Sequence, residues 1–277
     1  MSLDRAARDA LVTAIRAAAR VEILPLFRKL DAGQVSEKTS PEDLVTAADR
    51  DAETAIGASV RRILPDAAII GEEAVSADGA LLGQIATSPL VVVIDPIDGT
   101  WNFVNGIATY GVLLAVIARG QTILGILYDP TGDDWIMAER GGGAWFCRPD
   151  RPPRRLRVSA PSERLSDAFG FIGLYNYPRA ARPLLAASLP DFRRACSLRC
   201  ACHEYRLLTA GRADFGLNGT LNVWDHAAGA LCFEEAGGHV ALLNGASYAP
   251  TMTEGRLLTA ASRPLWDQLA EKWADLA

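Results

Sequence analysis

The sequence predicts a layered α/β fold, because short apolar segments typical of buried strands alternate along the chain with amphipathic segments typical of helices. The chain has 277 residues, of which 49% are hydrophobic and 22% are charged, close to the values of ordinary globular domains. This length allows an extensive hydrophobic core and fits one large domain or two modest ones.

The predicted strands are short runs rich in apolar residues. The run at 90–94, Leu-Val-Val-Val-Ile, has the β-branched density of a strand buried on both faces. The runs at 111–118 and 123–128 are separated by Arg-Gly, which predicts a hairpin. Further strands are predicted at residues 67–70, 135–138, 143–146, 168–173 and 213–217.

The predicted helices begin with residues 4–30, where apolar side chains recur at helical spacing. Ser40-Pro41, followed by acids, predicts the start of a second helix that ends near residue 64. Further helices are predicted at residues 179–187, 202–210, 225–236 and 263–276. The basic, proline-rich run at 148–157 predicts a solvated connector, with a boundary near residue 152 between subdomains 1–152 and 153–277.

Composition argues against several classes of protein. Acids (33) outnumber bases (28), giving a net charge of -5, which argues against a nucleic-acid binder or a polybasic membrane binder. No apolar run approaches the roughly 18 residues that span a bilayer, and the N-terminus does not resemble a secretory signal. The five cysteines are an odd number, so we expect reduced thiols in a cytoplasmic protein.

Acidic residues are concentrated in two spans, 63–118 and 213–255, that contain no Lys or Arg. Glu72 and Asp95 directly follow apolar runs, and Asp225 opens a predicted helix. An uncompensated carboxylate at such a buried position is costly, and the carboxyl ends of strands line the binding crevice of layered α/β folds. The pattern predicts that these carboxylates converge on cations.

The segment at 95–100 reads Asp-Pro-Ile-Asp-Gly-Thr. The proline turns the chain, so that Asp95 and Asp98 can face one point and the Ile97 carbonyl can supply a third oxygen. Ligation by oxygen alone favours a hard ion, Mg²⁺ above Mn²⁺ or Ca²⁺. Gly99 permits close approach of a ligand, and the N–H groups of a helix starting after it would seat an anion. Cations beside an anion seat suit a phosphate ester.

Each motif taken alone also fits a structural role: a plain turn at 95–100, a solvated loop at 71–73, or a helix cap at 224–226. Together, in this order, they resemble the inositol monophosphatase family of Mg²⁺-dependent, lithium-sensitive phosphatases. The matching segments are residues 38–49, 71–73, 95–104, 224–229 and 234–238.

The resemblance implies an αβαβα sandwich, like that of the inositol monophosphatases and fructose-1,6-bisphosphatases, with the site between two subdomains. Residues 1–152 would carry most metal ligands, and residues 153–277 would contribute Asp225 and substrate selectivity. The implied activity is that of a phosphoric monoester hydrolase: Mg²⁺-dependent hydrolysis, by a metal-activated water, of inositol monophosphate or a related polyol or sugar phosphate. About two to three Mg²⁺ ions would bind, and Mn²⁺ or Ca²⁺ could replace them in a crystal.

The resemblance also implies residue roles. The implied metal ligands are Glu72, Asp95, the Ile97 carbonyl, Asp98 and Asp225. Glu72 would also act in catalysis, and Asp49 with Thr100 would orient the attacking water. The N–H groups of Gly99 and Thr100 would bind the phosphate, and Lys38 falls in a loop near the metals, although a single lysine is also common as a solvated surface charge.

The resemblance is weaker where the substrate is selected. Residues 199–202 read Arg-Cys-Ala-Cys, where the family has a small Gly-Ser/Thr-Ala stretch that contacts the inositol ring. Asn218 stands in place of a glutamate that binds ring hydroxyls, and an amide differs from a carboxylate in its donors. Arg199, Ala201 and Asn218 are the candidate substrate-binding residues. Arg199 could meet a second anionic group or pair with Glu204.

Three functions therefore stay open. The first is the inositol monophosphatase activity, which Asn102-Phe103 favours because it resembles the inositol-phosphatase branch. The second is another phosphatase of the superfamily, acting on a nucleotide 3′-phosphate, histidinol phosphate or fructose bisphosphate. The third is a regulatory binding protein that retains the fold. The expected partner is a small phosphate ester, with no nucleic acid or membrane, and a homodimer is expected by analogy alone.

Overall fold

A computed structural model describes residues 2–41, 43–158 and 164–276, without the side chains of residues 32 and 39. The helices of these residues are α1 (Arg5–Ala18), α2 (Ala47–Ile63), α3 (Glu72–Ala77), α4 (Gln84–Thr87), α5 (Thr100–Val104), α6 (Arg182–Ser188), α7 (Ala201–Thr209), α8 (Val223–Glu235) and α9 (Arg263–Lys272). The strands are β1 (Val35–Ser40), β2 (Asp43–Thr46), β3 (Ala68–Gly71), β4 (Leu90–Asp98), β5 (Gly111–Ala118), β6 (Gln121–Asp129), β7 (Asp134–Glu139), β8 (Gly143–Arg148), β9 (Arg151–Leu156), β10 (Phe169–Ile172), β11 (Arg194–Cys196), β12 (Phe215–Asn218), β13 (His239–Leu242) and β14 (Leu257–Ala260).

The larger sheet has seven strands in the order β3-β4-β5-β6-β7-β8-β9. β3 and β4 are parallel, and the remaining pairs are antiparallel, including the predicted hairpin of β5 and β6. Every residue of β4 is buried, which confirms the prediction of a strand covered on both faces. Because side chains alternate along a strand, Val92 and Ile94 pack towards α1 and α2 while Val91 and Val93 pack towards α7 and α8.

The smaller sheet has five strands in the order β11-β10-β12-β14-β13. β10 is parallel to β11 and to β12, whereas β12, β14 and β13 are antiparallel neighbours. Helices α7 and α8 lie between the two sheets, and α6 and α9 cover the outer face of the smaller sheet. The layers are therefore helix, sheet, helix, sheet, helix, which is the predicted αβαβα sandwich.

Two predicted elements were wrong. The predicted helix start is wrong: Ser40 ends β1 and lies opposite Asp43 of β2, and α2 begins only at Ala47. The Thr46 hydroxyl accepts from the Asp49 N–H, and the Asp49 carboxylate accepts from the Thr46 N–H, so this capping box sets the helix start. Glu42, in the predicted helix start, lies outside the described residues.

The proline-rich run is not a connector but contains β9, an exposed strand paired with β8 at the edge of the larger sheet. Proline is tolerated there because an edge strand leaves one row of N–H groups unpaired. The larger sheet ends at Leu156 and the smaller begins at Phe169. A division into subdomains near residue 152 stays a prediction.

The first predicted helix is shorter than expected, because α1 ends at Ala18 and continues as a π turn over Ala19–Ile23. No helix in the described part of the chain is long and apolar enough to cross a membrane.

Candidate metal centre and phosphate site

Asp95, Asp98 and Asp225 form a cluster in which one carboxylate oxygen of each lies within 4.8 Å of the others. Asp95 and Asp98 end β4, and an irregularity in its pairing with β5 falls between them. Asp95 shares its strand face with Val93, which packs towards α7 and α8, and Asp225 lies in the first turn of α8. Strand alternation and the start of one helix thus bring together carboxylates 130 positions apart in the chain, from position 95 to position 225.

Asp95 provides the test of whether a cation fits this cluster. Its side chain is 1% exposed, and its Oδ1 atom is buried with no hydrogen-bond partner among the described residues. Burial, followed by the charges of Glu72, Asp98 and Asp225, raises the pKa of Asp95 well above its ordinary value. A buried, unsatisfied anionic oxygen among other acids is the environment that a divalent cation stabilises.

Glu72 reaches the same cluster from the neighbouring strand. Gly71, the last residue of β3, pairs with Ile94 of β4, so that Glu72 follows beside Asp95. The Asp95 side chain and the charge of Asp225 both act on the pKa of Glu72, so Glu72 lies beside the cluster. Burial raises the pKa of Glu72, and the ammonium of Lys38 partly offsets that rise. Glu72 is therefore a fourth carboxylate beside the centre.

Asp98 and Asp225 are also protonated more readily than ordinary acids. Burial and then the charge of Asp225 raise the pKa of Asp98 to about 7, although the Cys200 thiol and the N–H groups of Cys202 and Ala201 oppose the rise. Burial raises the pKa of Asp225 to about 6, opposed first by a hydrogen bond from Asn222. Both shifts have the sign expected of carboxyl groups that are removed from water.

Lys38 is not a solvated surface charge. Its side chain is 9% exposed, and its Nζ lies 2.8 Å from Glu72 Oε1 and 2.6 Å from Glu73 Oε1. The two spans without Lys or Arg did not predict the contacts of Lys38 with Glu72 and Glu73, because Lys38 lies outside both spans, on β1. One ammonium thus offsets part of the charge of Glu72, while Asp95, Asp98 and Asp225 remain an acidic cluster.

Asp49 and Thr100 are in contact, as the predicted water-orienting pair requires. Asp49 is fully buried, its Oδ2 accepts from the Thr46 N–H (2.8 Å) and hydroxyl (2.6 Å), and burial raises its pKa to about 7. The Thr100 Oγ1 lies 3.1 Å from Asp49 Oδ1 and 2.9 Å from the Ile97 carbonyl. A carbonyl oxygen has two lone pairs, so the contact with Thr100 leaves Ile97 one further acceptor direction.

Gly99 occupies a conformation that suits glycine, with φ +85°. A Cβ at this position would lie 3.0 Å from the Thr109 carbonyl oxygen and 3.2 Å from the Arg199 carbonyl oxygen. The main chain is therefore packed tightly at the junction between β4 and α5, where the phosphate seat is predicted. Binding of phosphate by the N–H groups of Gly99 and Thr100 stays a prediction.

The three candidate substrate-binding residues lie at one edge of the smaller sheet or just beyond it. Ala201 opens α7, with its N–H near the Asp98 carboxylate, and Asn218 ends β12. Arg199 is exposed, and its guanidinium stacks on the indole of Trp101. The carboxylate of Glu204 accepts from the Leu198 N–H (2.8 Å) and the Ser197 hydroxyl (3.2 Å).

Sequence reasoning missed three residues that position the centre. Glu53 accepts from the N–H groups of Glu73 (2.8 Å) and Ala74 (3.0 Å) at the start of α3. The Cys200 thiol lies 3.0 Å from Asp98 Oδ2, and Asn222 Nδ2 donates to Asp225 Oδ2 at 3.0 Å. A signal existed for Glu53, which lies one helical turn after Asp49 and so on the same face of α2.

Comparison with known proteins identifies a family for this chain. The model of the family described as "Inositol monophosphatase family" matches residues 6–276. A Thermotoga maritima protein named "Fructose-1,6-bisphosphatase/inositol-1-monophosphatase" is 33% identical over 211 residues, 76% of each chain. A "Nus factor SuhB" of Pasteurella multocida is 36% identical over 235 residues, 81% of this chain and 80% of that one.

A solved structure of a Thermotoga maritima IMPase superposes with a TM-score of 0.80 at 26% identity and covers 97% of both chains. A solved structure of the suppressor protein suhB from Bartonella henselae gives a TM-score of 0.79 at 28% identity, covering 96% of this chain and 98% of that one. Because the family match extends over nearly the whole chain and these structures share its fold, the protein belongs to the inositol monophosphatase family.

Proposed function

We propose that the protein hydrolyses a small phosphate monoester with the help of Mg²⁺, with inositol monophosphate or a related polyol or sugar phosphate as the first candidate substrate. The observation that carries the proposal is the cluster formed by buried Asp95 and Asp98 with half-buried Asp225, and Glu72 beside it. Family membership supports phosphatase activity in general.

The donor set fits hard divalent ions. Glu72, Asp95 and the Ile97 carbonyl would hold one ion, and Asp95 would share a second with Asp98 and Asp225. These donors are all oxygens, the ligands that Mg²⁺ prefers, with Mn²⁺ and Ca²⁺ as substitutes. Asp95 Oδ1 supports this assignment, because this buried oxygen receives no hydrogen bond from any described residue and could therefore bind an ion. Glu72 would also contribute to a third, weaker site.

When bound, the ions supply Lewis acidity that stabilises the attacking and leaving oxygens of the phosphate ester. The chain supplies the proton acceptor. With its hydroxyl donated to Asp49 Oδ1, Thr100 Oγ1 keeps lone pairs with which to accept a proton from an incoming water. Its own proton can pass to Asp49, whose pKa of about 7 suits a base near neutral pH. The N–H groups of Gly99 and Thr100 would bind the phosphate.

The test is release of phosphate from inositol monophosphate and other small esters, with and without Mg²⁺. Asp95→Asn should abolish Mg²⁺-dependent turnover, and Thr100→Ala should lower kcat by about 10²–10⁴-fold, the usual contribution of a positioned base. Asp275→Asn, in the last described turn, is a matched control that removes one carboxylate outside the centre. No hydrolysis across the panel by metal-loaded protein would contradict the proposal.

As the alternative, we propose that the substrate is a nucleotide 3′-phosphate, histidinol phosphate or fructose bisphosphate. The name of the Thermotoga maritima relative, which includes fructose-1,6-bisphosphatase, favours including the last of these. Comparison of kcat/KM across these esters under one Mg²⁺ concentration separates the alternatives, because the physiological class should exceed the others by at least tenfold.

A regulatory role is a further candidate, because relatives at 36% and 35% identity are named Nus factor SuhB. We propose that any such binding would be independent of turnover. Asp95→Asn protein should then retain binding to a transcription complex in a pull-down while losing phosphatase activity.

We further propose inhibition by Li⁺, a cytoplasmic location and a homodimer, each by analogy with the family. Turnover measured with and without Li⁺, cell fractionation, and the mass from light scattering test the three in turn.

A further inference from the structure

A cavity of about 560 Å³ lies beyond one edge of the smaller sheet. Asn218, which ends β12, pairs with Leu257 of β14, and Leu257 pairs in turn with Leu242, which ends β13. The chain therefore leaves β12 and β13, and enters β14, at the same edge. Loop residues 219–222, 243–244 and 253–256 line the cavity. Its volume is in the usual range for small-molecule sites, about 300–1,000 Å³.

A smaller cavity of about 160 Å³ adjoins the first, because Leu221, Asn222 and Thr253 line both. Apart from Thr251, the other side chains around the smaller cavity are apolar: Leu82, Ile85, Val223, Trp224, Pro250 and Met252. The two cavities together, which we call the loop cleft, have one polar end and one apolar end. Among the described residues that line the cleft, none is a predicted ligand of the metals, the phosphate or the substrate.

Arg256 supplies a positive charge at the polar end. Its half-buried guanidinium donates to the Gly255 carbonyl oxygen at 3.3 Å and stacks on the Tyr177 ring at 5.6 Å, but it forms no ion pair with any described residue. The Asn244 side-chain oxygen accepts from the Ala246 N–H at 3.0 Å, which leaves the amide NH₂ group as a second donor. A half-buried cation without a counter-ion, beside a further donor, suits an anionic ligand.

Glu254 is the acidic residue of the cleft, and it opposes an anion only weakly. It is exposed, so water solvates its carboxylate, and no ion pair joins it to Arg256 in the part of the chain that the structure describes. Charge therefore favours an anionic group at the Arg256 end, whereas the apolar lining of the smaller cavity favours a hydrocarbon group at the other end.

Asn222 connects the loop cleft with the metal centre. It lines both cavities, and its Nδ2 donates to Asp225 Oδ2 at 3.0 Å. A negative charge in the cleft is therefore repelled by the acidic cluster, and this repulsion is reduced when cations neutralise the cluster. Because coupling between two binding sites is reciprocal, an anion in the cleft and Mg²⁺ at the centre should each strengthen the binding of the other.

We propose that the loop cleft binds a small organic anion with one apolar end, with its anionic group at Arg256 and its apolar group against Trp224 and Met252, and that this ligand strengthens Mg²⁺ binding at the neighbouring centre. The ligand is a regulator and not a substrate, because the cleft lacks the predicted phosphate-binding groups. The site does not depend on the proposed phosphatase activity.

The probe for the experiment is 8-anilinonaphthalene-1-sulfonate, a fluorescent anion with apolar rings, titrated into the full chain in the presence of EDTA. Arg256→Gln should weaken binding by about tenfold or more, because charge-assisted hydrogen bonds are lost. Met252→Gln should weaken it by about threefold or more, because the apolar end becomes polar. Arg61→Gln removes an exposed positive charge on α2 and is the matched control, with an unchanged Kd. Melting temperatures confirm that each variant is folded.

Two competitors with equal tails and opposite charges test the sign of the site. Octanoate should displace the dye at concentrations about tenfold or more below those of octylammonium, because only octanoate pairs with Arg256. Stronger displacement by octylammonium, or equal dye affinities of the Arg256→Gln and Arg61→Gln proteins, would overturn the proposed site.

The coupling is tested by repeating the titration with saturating Mg²⁺. The dye should bind about fivefold or more tightly than in EDTA, and Asp95→Asn should remove this increase. A dye affinity that Mg²⁺ leaves unchanged or weakens would overturn the coupling. None of these measurements uses turnover, so a failure to hydrolyse phosphate esters would contradict the proposed function and leave this inference intact.

Discussion

At the scale of single residues, the clustering of acids could be predicted because Glu72 and Asp95 follow apolar runs and Asp225 opens a helix, all at positions where an uncompensated charge is costly. The side chains that contact those acids could not be predicted. Lys38 reaches Glu72 from a hairpin 34 positions away, and Cys200 reaches Asp98 across 102 positions. Nothing in the local sequence marks either contact, because both depend on how the layers pack.

Cys200 provides the first residue-scale prediction. Its thiol and the Cys202 N–H both contact Asp98 Oδ2, which fixes the orientation of that carboxylate. Groups that orient metal ligands are typically worth about 10–100-fold in metal affinity. Cys200→Ala should therefore weaken Mg²⁺ binding by about tenfold, measured by calorimetry, whereas Cys200→Ser, which keeps a donor, should stay within about threefold.

Cys232→Ala is the matched control, because this buried thiol faces the Gly125 carbonyl oxygen at 3.7 Å, away from the cluster. Equal Mg²⁺ affinities of the Cys200→Ala and Cys232→Ala proteins would show that Cys200 has no role in positioning Asp98.

At the scale of elements, most strands and helices followed from apolar periodicity, but the start of α2 did not. Ser40-Pro41 resembles a helix start, whereas α2 begins after Thr46, whose capping box with Asp49 also places that carboxylate beside Thr100. The run at 151–156 lacked strand-like composition, and it pairs because an edge position tolerates proline and exposed arginine.

The start of α3 gives the element-scale prediction. Glu53 accepts two N–H groups there, from Glu73 and Ala74, and so fixes the turn that carries Glu72. Glu53→Gln leaves a single oxygen acceptor facing two donors. We expect unfolding by urea to show a loss of about 1.5–3 kcal/mol, the usual value for a hydrogen bond to a charged group, together with weaker Mg²⁺ binding.

Asp51→Asn, on the exposed face of the same helix, changes the same kind of charge without a cap and should cost less than about 0.5 kcal/mol. If the two variants lose equal stability, the effect belongs to the charge of α2 and not to the cap of α3.

At the scale of the whole molecule, the order of layers could be predicted from the alternation of strands and helices together with the family resemblance. The candidate metal centre, in contrast, depends on how both sheets and the helices between them pack. β4 contributes Asp95 and Asp98, and α8, whose other side packs on the smaller sheet, contributes Asp225. Repulsion among these acids therefore acts on the packing of the two sheets. The stability of the entire fold should depend on what neutralises the centre.

Protons and Mg²⁺ should compete to neutralise the carboxylates of the centre. The pKa values of Asp98 (about 7), Asp225 (about 6) and Asp49 (about 7) are raised above their ordinary value of 3.8, so the folded protein holds more protons than the unfolded chain between about pH 4 and 7. Stability without metal should therefore fall as the pH rises through this window, by up to about 1.4 kcal/mol per pH unit for each such group. The histidines have the opposite sign within this window: burial lowers the pKa of His226 to about 4 and also lowers the pKa values of His203 and His239, so they offset part of the fall below about pH 6.5. Asp133, whose pKa is lowered to about 2 by its hydrogen bond with Arg16, also has the opposite sign but acts below the window.

Bound Mg²⁺ should remove this loss, because the ions take the place of the protons. The increase in melting temperature on adding saturating Mg²⁺ should accordingly be small at pH 5 and largest near pH 8. Asp95→Asn should greatly reduce the Mg²⁺ effect at every pH, since the central ligand is lost. An increase that is independent of pH would contradict this prediction. It would mean that Mg²⁺ binds elsewhere if the Asp95→Asn protein keeps the increase, and that the carboxylates of the centre are already ionised at pH 5 if the Asp95→Asn protein loses it.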